Sequence, residues 1–119
     1  MEGEAKVEPI IIKNSRVPKL FSWFMPVAAV TIFPFIFIKG NGSEILIRHE
    51  TIHFKQYMEL LIVGFPILYV FDFLYGLCKY KNPLDAYRSI RLEREAFSNQ
   101  LDDYYLRYRK PYSWRKYKL

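Results

Sequence analysis

His49, Glu50 and His53 stand in the run His-Glu-Thr-Ile-His, and both histidines of the chain fall inside it. On a helix, residues four apart project from one face, so the two imidazoles can meet one cation. Two neutral imidazoles, a carboxylate and a position kept for water form a donor set that zinc accepts. Glu50 follows the first imidazole and lies beside that water. As zinc lowers the water's pKa, Glu50 can take its proton, which is the general-base chemistry of metal-assisted hydrolysis. Paired histidines also occur on helices where they only satisfy hydrogen bonds; the glutamate after the first one tips the pattern toward chemistry. Gln56, one turn past His53, either steadies an imidazole from behind or faces solvent.

The elements that must position these residues follow from punctuation and pattern. Ser43 can cap a helix, with Glu44 in its first turn, and the helix runs through 43–63. Gly64-Phe65-Pro66 then breaks or kinks it. A second helix covers Ile67 to Tyr80, Asn82-Pro83 is a start signal, and a last helix is centred on Leu92 to Tyr105. Upstream, residues 28–38 form the best strand, β-branched and aromatic, with its proline suited to an edge or bulge. Lys39-Gly40-Asn41-Gly42 closes it as a turn. Residues 1–19 make an irregular lead-in with a candidate short strand at Pro9-Ile10-Ile11-Ile12. The expected fold class is α+β: a mostly helical domain with a short strand region ahead of the motif helix.

A chain of 119 residues fits one compact domain. With 51% hydrophobic and 18% aromatic residues it is not a disordered chain. The formal charge is +6, and the tail 107–119 carries six Lys or Arg and no acid. That tail is either a solvated terminus whose Trp114 and Tyr117 pack back on the domain or a contact for an anionic membrane surface. No nucleic-acid motif accompanies it, so no nucleic acid is expected. The single Cys78 excludes an internal disulfide and reads as a small buried hydrophobe. The N-terminus lacks the layout of a cleaved signal peptide, leaving an intracellular, membrane-associated or virion setting. Leu20 to Ile38 is 19 residues without charge and Leu61 to Cys78 is 18 residues interrupted by Asp72, so both raise the membrane question. The first reads as strand rather than span. The second reads as a core helix, a membrane-resting helix or a span, with Asp72 costly in lipid.

HETIH resembles the HExxH signature of zincin metallopeptidases, and HETIHFKQ extends it as HExxHxxQ. LEREAF resembles the Glu-x-Glu-Ala helix that supplies the third ligand in gluzincin-like families. From TIFPFIFI through AYRSIRLEREAFSNQ, roughly 28–100, the chain is similar to small, poorly characterised HExxH proteins of bacteria and phages. The resemblance implies a minimal zincin-like domain holding one zinc ion, with His49 and His53 as ligands and Glu50 as base. The third ligand is Glu93 or Glu95. The Glu-x-Glu-Ala layout favours Glu93, whereas Asn99, four past Glu95, matches the residue that supports a ligand histidine. The two glutamates point about 200° apart on a helix, so one alone can face the metal. Tyr87 and Arg88, just ahead of that helix, are candidate oxyanion donors. The strand at 28–38 would pair with an extended peptide substrate.

This chemistry constrains the path of the chain. A straight helix from 53 to 80 rises about 40 Å, while ten helical residues return only about 15 Å. The chain must turn sharply near 64–66, or run partly extended over 84–91, or both. The functions left standing are a zinc-dependent hydrolase, most plausibly a peptidase; a protein that zinc only staples; and a membrane or virion component with a vestigial site. In the last two, Glu50 is incidental.

Overall fold

The computed structural model describes residues 7–20 and 27–119. The start of the lead-in (1–6) and part of the first apolar stretch (21–26, with Pro26) lie outside the described residues.

The fold is α+β, a helical body with one small mixed sheet. Strands β1 (Ile10–Ile12), β2 (Ala29–Ile32) and β3 (Phe35–Ile38) lie in the order β1-β3-β2. β1 runs parallel to β3, and β2 runs antiparallel to it with Thr31 opposite Ile36. The triple isoleucine at 10–12 thus forms the expected short strand, followed by a short helix α1 (Val17–Leu20). The single strand expected over 28–38 is instead a hairpin, turning at Phe33-Pro34. Proline cannot donate to a ladder, so it ends one strand and opens the next. Ile36 and Ile38 of central β3 are fully buried and pack with Ala29 against Leu46 and Ile47.

Those two contacts belong to α2 (Glu44–Glu59), capped by Ser43, whose Oγ accepts from the Leu46 N–H. α2 lies between the sheet and α5, so His49, Glu50, Ile52, His53, Phe54, Gln56 and Tyr57 are all buried. The helix ends at Glu59, short of the expected 63. Leu61 and Ile62 then take left-handed φ values of 56° and 66°, a conformation strained for a β-branched residue. Gly64-Phe65-Pro66 does not break a helix but begins one, α3 (Gly64–Tyr80). Proline is tolerated in a first turn, where N–H groups have no helical acceptor. α3 leaves α2 at 112°. That turn brings the chain back.

Asn82 caps α4 (Pro83–Ser89) through the N–H groups of Leu84 and Asp85, and Ile90 alone is extended before α5 (Arg91–Asn99). So 84–91 is mainly helical, and the redirection falls at 60–63 and 81–82. The helix expected over 92–105 stops at Asn99; a separate turn of helix, α6 (Tyr105–Tyr108), follows a bend. The chain closes with a 3-10 turn at Ser113–Lys116, whose Trp114 is buried with Tyr57, Phe65, Ile90 and Leu92. Cys78, expected inside, is exposed on α3. No single helix among the described residues is long and apolar enough to cross a membrane.

Two contacts fix α3 on α4 and α5. A Cβ at Gly76 would stand 2.8 Å from Ala86 Cα, so only glycine permits this approach. Asp72, fully buried mid-helix, accepts from Arg91 through Nε (3.0 Å), NH2 (2.8 Å) and the backbone N–H (3.1 Å). Arg91→Ala strands a buried carboxylate and is expected to cost about 3 kcal/mol or more. Asp72→Ala should cost less, because the Arg91 side chain is 26% exposed and can turn to water. Urea unfolding midpoints test that order; the reverse order would contradict it.

Candidate metal centre

α2 presents His49 and His53 one turn apart, and α5 crosses it to deliver Glu93. Glu93 Oε1 lies 2.9 Å from His49 Nε2 and 3.1 Å from His53 Nε2. All three residues are buried, and their ligand atoms lie within 4.8 Å of one another. A buried His49, His53, Glu93 group able to hold a metal ion is therefore present. Glu93, not Glu95, faces the imidazoles. Glu95 points to the opposite side of α5, where Arg109, Tyr105 and Gln56 donate to it.

The hydrogen bonds behind the rings fix which nitrogens face Glu93. Gln56 Nε2 donates to Leu92 O (3.0 Å) and Glu95 Oε1 (2.9 Å), so its Oε1 must be the atom 2.8 Å from His53 Nδ1. An amide oxygen only accepts, hence His53 Nδ1 carries a proton and Nε2 is the nitrogen turned to the cluster, where a metal would take its lone pair. Gln56 thus holds the His53 ring from behind. His49 Nδ1 is held in the same way, 2.8 Å from Gln100 Oε1. Asn99, expected behind a ligand histidine, bonds instead to Glu95 O and to the Tyr117 hydroxyl. Its place is taken by the next residue.

Two imidazole lone pairs and a carboxylate converging in a buried space repel one another unless a cation lies between them. His53 Nε2 makes no hydrogen bond despite its burial. In the metal-free cluster a proton on His53 supplies that positive charge. Burial alone would depress His53, yet the adjacent Glu93 carboxylate pushes it up to about 9. Glu93 in turn is held well below the usual carboxylate range by the two histidines, against burial. Bonds of about 2.0–2.1 Å to a tetrahedral zinc set ligand atoms roughly 3.3 Å apart, close to the separations observed. The donor set fits.

Glu50 lies buried on the neighbouring side of α2, with its Oε1 accepting from Thr31 Oγ1 at 2.8 Å. Burial raises its carboxyl above the ordinary value, while His53 and His49 pull it partly back. Glu50, His53 and Glu93 share a cavity of about 330 Å³ with β2, α3 and Tyr87. Its walls are otherwise apolar, from Val30, Tyr57, Phe65 and Phe73. Tyr69, unmarked by any motif, donates its hydroxyl to Glu93 Oε2 at 2.6 Å. Burial and Glu93 raise the phenols of Tyr69 and Tyr87, so both stay protonated and able to donate. Arg88, the other candidate oxyanion donor, is exposed and sits over the Phe97 ring, away from the cavity.

Nothing in a polar motif marks Tyr69, Thr31 or Gln100. Tyr69 is an aromatic in an apolar run, and Thr31 is a β-branched strand residue. Comparison with protein-family models, curated proteins and solved structures found no match to this chain.

Proposed function

We propose that the protein is a zinc-dependent hydrolase that cleaves peptide bonds. The observation that carries this reading is the placement of Glu50. It is a buried carboxylate with a raised pKa, and it shares one cavity with His53 and Glu93, two of the three donors. A site that only stapled helices together would have no use for a second carboxylate facing a cavity. Two imidazoles and one carboxylate suit zinc, with a coordination position left open.

Zinc held there would supply a Lewis acid that polarises a carbonyl and acidifies a water. The chain's own residues do the rest. Glu50 accepts the proton from the attacking water, and its raised pKa suits it to hand that proton to the departing amine nitrogen. Thr31 holds the carboxylate in place through its hydroxyl. Tyr87, protonated and lining the cavity, is the donor for the oxyanion that develops on the carbonyl. β2 is an edge strand of the sheet and forms one cavity wall, so an extended substrate can lie along it.

Metal analysis tests the first step. After zinc loading and desalting, the purified protein is expected to retain one zinc per chain, and His53→Ala and Glu93→Gln to retain none. Hydrolysis of a labelled, unfolded protein substrate should then be blocked by a chelator and restored by zinc. A wild-type chain without stoichiometric zinc sinks the proposal.

A further inference from the structure

The outer face of α3 departs from the pattern of a helix that meets water. Every exposed position from Pro66 to Cys78 is uncharged: Pro66, Ile67, Val70, Phe71, Leu74, Tyr75 and Cys78. A surface helix ordinarily places its charges there. Ile67 is 66%, Phe71 58% and Leu74 54% exposed, in one stripe at helical spacing. The stripe continues into the strained turn ahead of the helix, where Leu61 and Val63 are 84% and 67% exposed. Leu61 and Ile62, both exposed and held at left-handed φ where Gly or Asn would be cheaper, add to a patch of the kind that marks an interaction surface.

Charge at the end of the stripe identifies what would cover it. Lys79 and Lys81 follow Cys78, and Lys79 Nζ donates to Leu119 O, tying the basic tail to this end of α3. Trp114 is buried and Tyr117 is hydrogen-bonded, so these two aromatics tie the end of the tail to the body while Arg115, Lys116 and Lys118 are exposed. An apolar stripe ending in a cluster of cations matches a helix lying in the plane of an anionic lipid surface. A protein partner for so apolar a face would not call for the cations.

We infer that the outer face of α3 seats this protein on an anionic membrane surface, with the turn at 61–63 inserted and the cations at 79–81 and 115–118 on the headgroups. Pro66 and Val70 belong both to this face and to the cavity wall, so the cavity borders the lipid. Resting on the hydrolase reading, the substrate is then a polypeptide segment at the membrane surface.

Vesicle sedimentation tests the docking. The full chain should pellet with phosphatidylcholine vesicles containing phosphatidylserine, and about tenfold less with phosphatidylcholine alone or at high salt. Phe71→Glu with Leu74→Glu should lower binding about tenfold or more, and as exposed substitutions should leave the unfolding midpoint unchanged. Lys79→Ala with Lys81→Ala should weaken binding to anionic vesicles alone. A wild type that stays in the supernatant, or a Phe71/Leu74 variant that binds as well, overturns the inference. So does association of the chain with itself through this face without vesicle binding, which would make a second copy the occupant. His53→Ala should bind vesicles like wild type, so a failed metal site and a failed docking face give different results.

Discussion

Glu50→Gln is expected to lower kcat/KM for peptide hydrolysis by about 10²- to 10⁴-fold, the usual contribution of a positioned general base. The substitution is nearly isosteric, and the amide oxygen keeps the bond from Thr31 Oγ1, so the side chain should stay where it is. What it loses is the ability to take a proton. Glu50 is not one of the three converging donors, so zinc stoichiometry should stay at one. Stability should hold or rise, because burial opposes the charged carboxylate and an amide removes that penalty. Activity, zinc content and thermal midpoint measured on one preparation decide the matter. Activity equal to wild type would leave the metal a staple and Glu50 a bystander, and loss of zinc together with activity would place Glu50 in the coordination sphere.

The motif itself was legible because a helix turns spacing into geometry: His49 and His53 share a face wherever the helix lies. The α+β class and the cap at Ser43 followed from equally local rules. The choice between Glu93 and Glu95 did not. Both stand on one short helix, about 200° apart, and both are buried. What decides between them is Arg109, which stands in the tail and pairs with Glu95 on the far side of α5. The tail's charge suggested solvent or a membrane, and nothing local shows that one of its arginines is buried. The supporting residue was missed by one position for a similar reason. Asn99 occupies the offset the family pattern suggests, yet it closes the end of α5, and Gln100 reaches His49 instead.

The turns were the least legible part of the fold. Pro34 pointed to an interruption, but whether it bulges a strand or turns a hairpin depends on β1 pairing with β3 from across the sequence. The sharp turn that the proposed chemistry required does occur, but at Leu61 and Ile62, residues whose types argue against left-handed backbone. Tertiary packing overrides propensity there: Phe65 stacks on Tyr57 with ring centroids 3.9 Å apart, holding α3 against the end of α2. The turn also brings Tyr69 to Glu93, which no local pattern foretells.

Arg109→Ala should be the most damaging substitution far from the metal ligands. Its guanidinium, 4% exposed, bridges Glu59 and the fully buried Glu95, and Glu95 accepts from Gln56, whose oxygen receives the His53 Nδ1 proton. Removing it strands carboxylates in the interior, at a cost of about 3–5 kcal/mol. It also loosens the support of a ligand histidine, which lowers metal affinity by about 10- to 100-fold. The sign of the pH dependence is fixed. Burial would raise Glu95, but bonds from Arg109 and Tyr105 hold its carboxyl below the ordinary 4.5. Its contribution to stability is therefore present above about 4.5 and lost as pH falls through the depressed value. In the variant, burial acts on Glu95 with less opposition, so the stability gap from wild type should be widest near neutral pH and narrow in acid. Urea unfolding at pH 7 and at pH 4, with zinc titrations at pH 7, gives both quantities. A gap that widens in acid would mean that Arg109 does not hold Glu95 ionised. Unchanged zinc affinity would mean that His53 is positioned without the Glu95–Gln56 link.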